Sequence, residues 1–323
     1  MAEWLYEEGI GENRAILVED EDIIAAAIEL PGEMRCGSVL AGRLVEIAIP
    51  GRRGIVVTDQ GEVMVEPLPK ALTQGQKLRV EIVREPIAEP GHPKFAKGRI
   101  TEAEEKEGPT LAERIGSPRP LPPLGPDLFH EAGWSELIDE ALGTPIDFAG
   151  GELRMSLTPA MTLFDVDGYL PPFELALAAA EEVAYAIRRL DIGGSIGIDL
   201  PTVPGREDRL RIVEALDAVL PRPFERTAVN GFGFLQVVRR RERRSLPELI
   251  QWDEAGAAAR DLLRTAERAV GGCELAAAPA VIARLRAEPG WLETLARRIG
   301  GPVALREEPG FTTWRSHVHV KRH

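Results

Sequence analysis

Met161-Thr-Leu-Phe164-Asp165-Val166-Asp167-Gly168, a stretch of Ala, Leu and Glu from Pro171-Pro172 to Leu190, and then Gly193-Gly-Ser-Ile-Gly-Ile-Asp199-Leu decide the fold. The first segment alternates, with Leu163, Asp165 and Asp167 on one side and Phe164 and Val166 on the other, which is the period of a strand. The paired prolines sit where a helix starts, and the good helix formers after them predict a helix running to about Leu190. Gly193 and Gly194 stop it, and the next apolar run ends at Asp199. Strand, helix and strand in this order predict a βαβ unit with parallel, adjacent strands. Asp165 and Asp199 then both fall near the carboxyl ends of their strands, where open α/β sheets place their sites. Carboxylates gathered there, Asp167 included, repel one another. A divalent cation such as Mg²⁺ relieves that repulsion and takes phosphate oxygens as further ligands.

Working outward, 323 residues are enough for two or three domains, and 44% hydrophobic with 28% charged residues is a globular composition. No apolar run approaches the roughly 20 residues of a membrane span, and the opening Met1-Ala-Glu-Trp-Leu-Tyr-Glu-Glu8 is acidic, unlike a signal peptide. Cys36 and Cys273 are far apart and in no Cys-x-x-Cys pair, so neither structural zinc nor a disulfide framework is expected, and a cytoplasmic setting is. The net charge, 39 − 52 = −13, excludes indiscriminate nucleic-acid binding, so any phosphate contact must come from local basic patches.

Upstream, Arg14 to Val18, Ile23 to Leu30, Ser38 to Ile49, Gly54 to Thr58, Val63 to Glu66 and Lys77 to Arg84 read as short strands separated by turns. Such spacing predicts a small OB-like barrel within residues 1–103. Lys94, Lys97 and Arg99 form a basic cluster at its end, and the acidic, proline-rich stretch 104–126 reads as a linker. Residues 127–246 hold the βαβ unit, preceded by a helix from about Asp127 to Leu142 and followed by a helix over 205–220 and strand text over 224–238. Residues 247–323 read as a small α+β domain. The whole is expected to be an α+β protein with a β-barrel, an α/β catalytic domain and this C-terminal piece.

Two further features carry charge. Arg239-Arg-Arg241-Glu-Arg-Arg244 follows the last strand of the α/β region. Basic runs are commonly solvated faces, but guanidinium groups also match phosphate geometry, and Arg239 and Arg241 are candidate phosphate contacts together with Lys94 and Lys97. His317 and His319 alternate on one strand, and a two-residue ligand set favours surface histidines over a metal site. Walker loops, nucleophile elbows and His-Glu-x-x-His helices are absent.

In linked order, these pieces resemble the ribonuclease E/G family. Phe164-Asp-Val-Asp167 stands for its Ile-Asp-Val-Asn strand, Glu182-Val-Ala-Tyr-Ala-Ile187 for its Glu-Ile-Ala-Arg-Gln-Leu helix end, and Gly193-Gly-Ser-Ile-Gly-Ile-Asp199 for its Gly-Gly-Ile-Ile-Val-Ile-Asp strand. Phe232-Gly-Phe-Leu-Gln-Val-Val-Arg239-Arg-Arg241 with Ser245-Leu246 matches its Phe-Gly-Leu-Leu-Glu-Met-x-Arg-x-Arg and Ser-Leu, and the run ending Thr58-Asp59-Gln-Gly61 is similar to its RNA-binding barrel. The resemblance implies a DNase-I-like catalytic domain that binds Mg²⁺, or Mn²⁺, through Asp165 and Asp199, with Asp167 where the family has Asn. It implies internal hydrolysis of single-stranded RNA to 5′-phosphate and 3′-hydroxyl ends, with Arg239 and Arg241 on substrate phosphates. Departures accompany it. The stretch from Thr101 to Phe129 is too short for the family's 5′-end sensor, the zinc-link cysteines are missing, the barrel's stacking aromatics appear as Val57 and Val65, and Ala176 and Ala178 replace the helix's Asn and Glu.

Two other readings stay open at this level. Leu163-Phe-Asp-Val-Asp-Gly168 resembles the opening motif of haloacid-dehalogenase-type phosphatases, although no later Gly-Asp-x-x-x-Asp pair follows Asp199. A regulatory or RNA-binding homologue with a weak or inactive site would also carry these departures.

Overall fold

The computed structural model describes residues 1–89, 91 and 93–320. It is a mixed α+β protein of two compact units, each assembled from separated stretches of chain. One unit takes Met1–Pro31, Ile115–Leu142 and the chain from Leu249 onward; the other takes Gly32–Arg114 and Gly143–Glu248. A reading in chain order divides 1–103 from 247–323, yet segments of both build the first unit. No helix among the described residues is long and apolar enough to cross a membrane.

The second unit contains a closed barrel of five strands, consistent with an OB-like domain, in the order Val39–Ile49, Arg53–Thr58, Gly61–Val65, Ala96–Thr101 and Lys77–Arg84. Alternating apolar residues close its core, with Leu44, Val56, Val63, Val65 and Val80 all fully buried. Two sequence expectations need correction here. Val65 points into that core and cannot face RNA, whereas Val57 faces outward. Asn13–Glu19 and Asp22–Glu29 are outside the barrel: they form a hairpin that pairs with Glu3–Glu8, a strand the pattern had not revealed. Asp20 and Glu21, both at positive φ, make the tight turn between them. The barrel's place for a fifth strand goes to Ala96–Thr101, whose lysine and arginine hid its period.

The proline-rich stretch is partly structured, with a helix over Leu111–Ile115 and Arg119–Pro120 paired parallel to Glu3–Glu8. The helix expected over 127–142 breaks in two, Leu128–Glu131 and Trp134–Leu142, at Gly133 with its positive φ.

The α/β region of the second unit is a six-stranded sheet in the order Ile146–Phe148, Gly151–Leu157, Thr162–Gly168, Gly194–Asp199, Phe234–Arg239 and Phe224–Arg226. Its two central strands are the βαβ pair, parallel and adjacent as the sequence indicates. The helix between them, Pro172–Arg189, buries Leu175, Ala176, Ala179, Ala180, Val183 and Ile187. That face covers Leu153, Phe164 and Val166 of the sheet, each large side chain contributing about 1.5–3 kcal/mol of burial. Ala176 therefore packs helix on sheet and is not placed to meet a substrate. Helix Arg206–Val219 packs beside it.

In the first unit, Cys273–Ala277 lies between Val303–Glu307 and Ser316–Val320, and helices Glu254–Ala266, Pro279–Ala287 and Pro289–Ile299 bury Leu262, Leu263, Val281, Ile282 and Leu295 with them. His317 and His319 are exposed on the last strand, one edge-on to Phe311 and the other 3.1 Å from Arg306.

Candidate functional site

The helices cover one face of the six-stranded sheet, and the other face is open. Strand register draws one row across that open face. Arg154 pairs with Asp165, Asp165 with Asp199, and Asp199 with Phe234. Neighbouring strands are about 4.8 Å apart, so the row is a compact sequence of guanidinium, carboxylate, carboxylate and ring. Asp165 and Asp199 are exposed, and among the described residues neither is held in a hydrogen bond or ion pair.

Asp167 lies two residues along its strand, opposite Glu152, and its carboxylate is 3.6 Å from Arg154. It faces the same side without joining the row. Arg154 donates from Nε to Glu152 at 2.8 Å. That hydrogen bond, with the charges of Glu152, Asp167 and Asp165, raises the guanidinium's pKa above its ordinary value and keeps it charged.

Gly197 explains why the row is accessible on one side and apolar on the other. A Cβ there would stand 2.8 Å from the Met161 Sδ and 2.8 Å from the Phe234 ring, and 3.0 Å from Leu163. Without one, the ring lies against the strand, and Met161, Leu163 and Phe234 form an apolar floor beside the two carboxylates.

The arginine run is elsewhere. Phe234–Arg239 runs antiparallel to Gly194–Asp199, so Arg239 pairs with Gly194, five residues from Asp199, or about 17 Å at 3.4 Å per residue. Arg239 donates to the carbonyls of Ile192 at 2.7 Å and Ile187 at 3.4 Å, tying down the end of the long helix. Burial lowers its pKa, opposed by the charge of Asp191. Arg241 pairs with Glu248, Arg243 with Asp191 at 3.3 Å, and Arg244 with Glu33. These contacts commit the run to partners within the fold, Arg239 and Arg241 among them, and the register does not bring Arg239 to the Asp165–Asp199 row. On the barrel, Lys94 pairs with Glu89 and Lys97 with Glu66, which also takes Arg52 and Arg53.

Arg154 and Phe234 are the site residues that sequence reasoning missed. Their signal was present: Glu152, Arg154 and Ser156 alternate with Leu153, Met155 and Leu157, but only register shows which strand they border.

Among the described residues no group of three or more His, Cys, Asp or Glu side chains is arranged to hold a metal ion. Two exposed carboxylates on adjacent strands are nonetheless the donor set Mg²⁺ uses when it keeps several waters and takes its other ligands from a substrate phosphate. The residues present fit that ion.

Among curated proteins, the chain is 27% identical to ribonuclease G of Escherichia coli over 152 residues, which is 40% of this chain and 31% of that protein. It is 25% identical to ribonuclease G of Salmonella typhimurium over 152 residues, with the same 40% and 31% coverage. The Haemophilus influenzae ribonuclease G matches at 28% over 136 residues, covering 38% of this chain and 28% of that protein. The match thus spans about a third of the length of these relatives. No family model matches the chain.

Proposed function

We propose that this chain, related to the ribonuclease E/G family through its matches to ribonuclease G, is a Mg²⁺-dependent endoribonuclease that cuts single-stranded RNA to 5′-phosphate and 3′-hydroxyl ends. The observation that carries this reading is the side-by-side placement of Asp165 and Asp199 on an open sheet face, with no cation among the described residues paired to either. What sets the pair apart is its adjacency: two exposed carboxylates on neighbouring strands repel one another, and a ligand from outside relieves that repulsion.

Asp165 and Asp199 would hold the ion. When bound there, Mg²⁺ supplies an activated water and stabilises charge on phosphoryl oxygens. Arg154, next in the row, presents a guanidinium to a non-bridging phosphate oxygen, and Glu152 fixes its direction. The floor of Met161, Leu163 and Phe234 excludes water from one side and strengthens these electrostatic contacts. On the barrel, Lys97 exchanges its 3.7 Å contact with Glu66 for RNA phosphate, and the acidic partners keep that grip weak.

The test is incubation of the purified chain with unstructured RNA, with and without Mg²⁺, followed by analysis of the product ends. Cleavage that requires the ion and falls at least about 100-fold in Asp165→Asn and in Asp199→Asn is the expected result. Full activity in both variants refutes the assignment.

A further inference from the structure

Phe232 is 86% exposed, the most exposed phenylalanine among the described residues. An aromatic ring left in water forgoes its burial free energy, and in a loose loop that would need no explanation. This loop is not loose. The Asn230 side chain accepts the backbone N–H groups of Phe232 at 2.9 Å and Phe234 at 3.0 Å. The Asn230 N–H donates to the Phe234 carbonyl at 3.0 Å, and the Thr202 hydroxyl donates to the Phe232 carbonyl at 3.2 Å.

Gly233 completes the clamp. Its φ is +95°, and a Cβ would fall 2.1 Å from the Leu200 carbonyl oxygen, so no other residue lets the two segments meet. The Leu200 N–H donates to the Gly233 carbonyl at 3.2 Å. The tip carrying Phe232 is thereby fastened to the residues that directly follow Asp199. Phe232 itself is two residues from Phe234, the cross-strand partner of Asp199.

We infer that Phe232 is a base-stacking residue that holds a nucleotide flanking the phosphate addressed by Asp165 and Asp199. The inference rests on the endoribonuclease reading and extends it to how RNA is held. A fixed, solvent-facing ring is pre-organised for stacking, and stacking accepts any base because every base has a π-face. The barrel positions read from the sequence as stacking sites offer no ring, Val65 being buried and Val57 aliphatic, so a ring beside the aspartate row adds a contact those positions do not supply. A substrate held this way is single-stranded, since a paired base has no free face to offer.

The experiment uses the full chain and a short, unstructured, fluorescein-labelled RNA. Affinity is read by anisotropy in EDTA, and cleavage is read with Mg²⁺. Phe232→Ala and Phe232→Leu are expected to weaken binding and kcat/KM by about tenfold, while Phe232→Tyr stays near the wild type. An abasic nucleotide scanned across the cut should reproduce that loss at one position in the wild type and add nothing there in Phe232→Ala. Because the ring is exposed, the melting temperature should not move. Leu behaving as the wild type, or abasic and Ala penalties adding in full, overturns the inference and leaves the endoribonuclease reading intact. A Phe232→Ala variant that binds RNA normally but sediments as a smaller species places a second copy of the chain over the ring and also overturns it. A wild type that neither binds nor cuts RNA removes both readings together.

Discussion

A buried acidic cluster in the first unit and an exposed aspartate pair in the second handle their charge in opposite ways. In the first, Glu7 is buried and accepts from Arg14 at 2.8 Å and Arg264 at 2.7 Å, with Arg268 at 3.6 Å. Beside it, Glu12 meets Arg260 at 2.9 Å, and the Arg14 guanidinium lies over the rings of Phe129 and Trp134 at 4.7 and 4.8 Å. In the second unit, Asp165 and Asp199 stand together in water, and their cationic neighbour Arg154 is committed to Glu152. Burial makes an unpaired charge costly to keep, so each carboxylate of the first cluster is met by at least one guanidinium. In water the repulsion of two carboxylates is only about 1 kcal/mol at 4 Å. The fold can therefore carry the second pair without solving it, and under the proposed function it is this pair that takes the ion.

The comparison breaks most visibly at Glu7. Removing one partner of a buried network leaves its guanidinium groups unpaired in low dielectric, so Glu7→Ala should cost about 3–5 kcal/mol. Urea unfolding monitored by tryptophan fluorescence measures it. A loss below about 1 kcal/mol would mean the network is solvated and the contrast with the open face is false.

Asp165→Asn and Asp199→Asn should do the reverse. Each removes a repulsive charge from an exposed row, so stability should hold or rise slightly while cleavage falls at least about 100-fold, roughly 2.7 kcal/mol of transition-state stabilisation. Parallel melting curves and single-turnover rates separate the two effects. Equal losses of stability and activity would make the aspartates structural.

The adjacency of Asp165 and Asp199 was legible in the sequence, and the place of Arg154 beside them was not, for a physical reason. Phe164-Asp-Val-Asp and the run ending in Asp199 declare their faces by local alternation, and the helix between them forces parallel pairing. Which residue borders Asp165 on the other side depends on a hairpin register set by non-local packing. Direction failed in the same way at Arg239: the residues after a site-bearing strand lie near the site only if the strand runs toward it, and Phe234–Arg239 runs away. The barrel closed as its strand spacing indicates, but Asn13–Glu29 went to another sheet because Glu3–Glu8, a strand rich in glutamate, offered it an edge. Arg154→Ala sharpens this point. It should lower kcat/KM by about tenfold by losing a charged hydrogen bond to phosphate, and it should let the carboxylates take Mg²⁺ at lower concentration because a neighbouring positive charge is gone. A Mg²⁺ titration of cleavage reads both. An unchanged rate with unchanged Mg²⁺ dependence would place Arg154 outside the site.

The smallest effect separates pairing from burial. Asp217 is paired like Glu7 yet lies between Glu7 and Asp165 in exposure: Arg226 donates to both its oxygens, at 2.8 and 2.7 Å. The Arg226 hydrogen bonds hold its pKa below the ordinary value of 3.8, against the opposing effect of partial burial. A depressed carboxylate adds stability above its unfolded pKa and loses it as pH falls through the folded one. The contribution of Asp217 should therefore be complete at neutral pH and fade only below about pH 4. Solvent screening limits it to about 0.2–1 kcal/mol. Asp217→Asn should lower the urea midpoint slightly at pH 7, and the difference from the wild type should shrink as pH falls below the unfolded value of 3.8. A cost at pH 7 as large as that of Glu7→Ala would show that pairing alone sets the energy. A small cost assigns the difference to burial, the variable that separates the Glu7 cluster from the exposed aspartates.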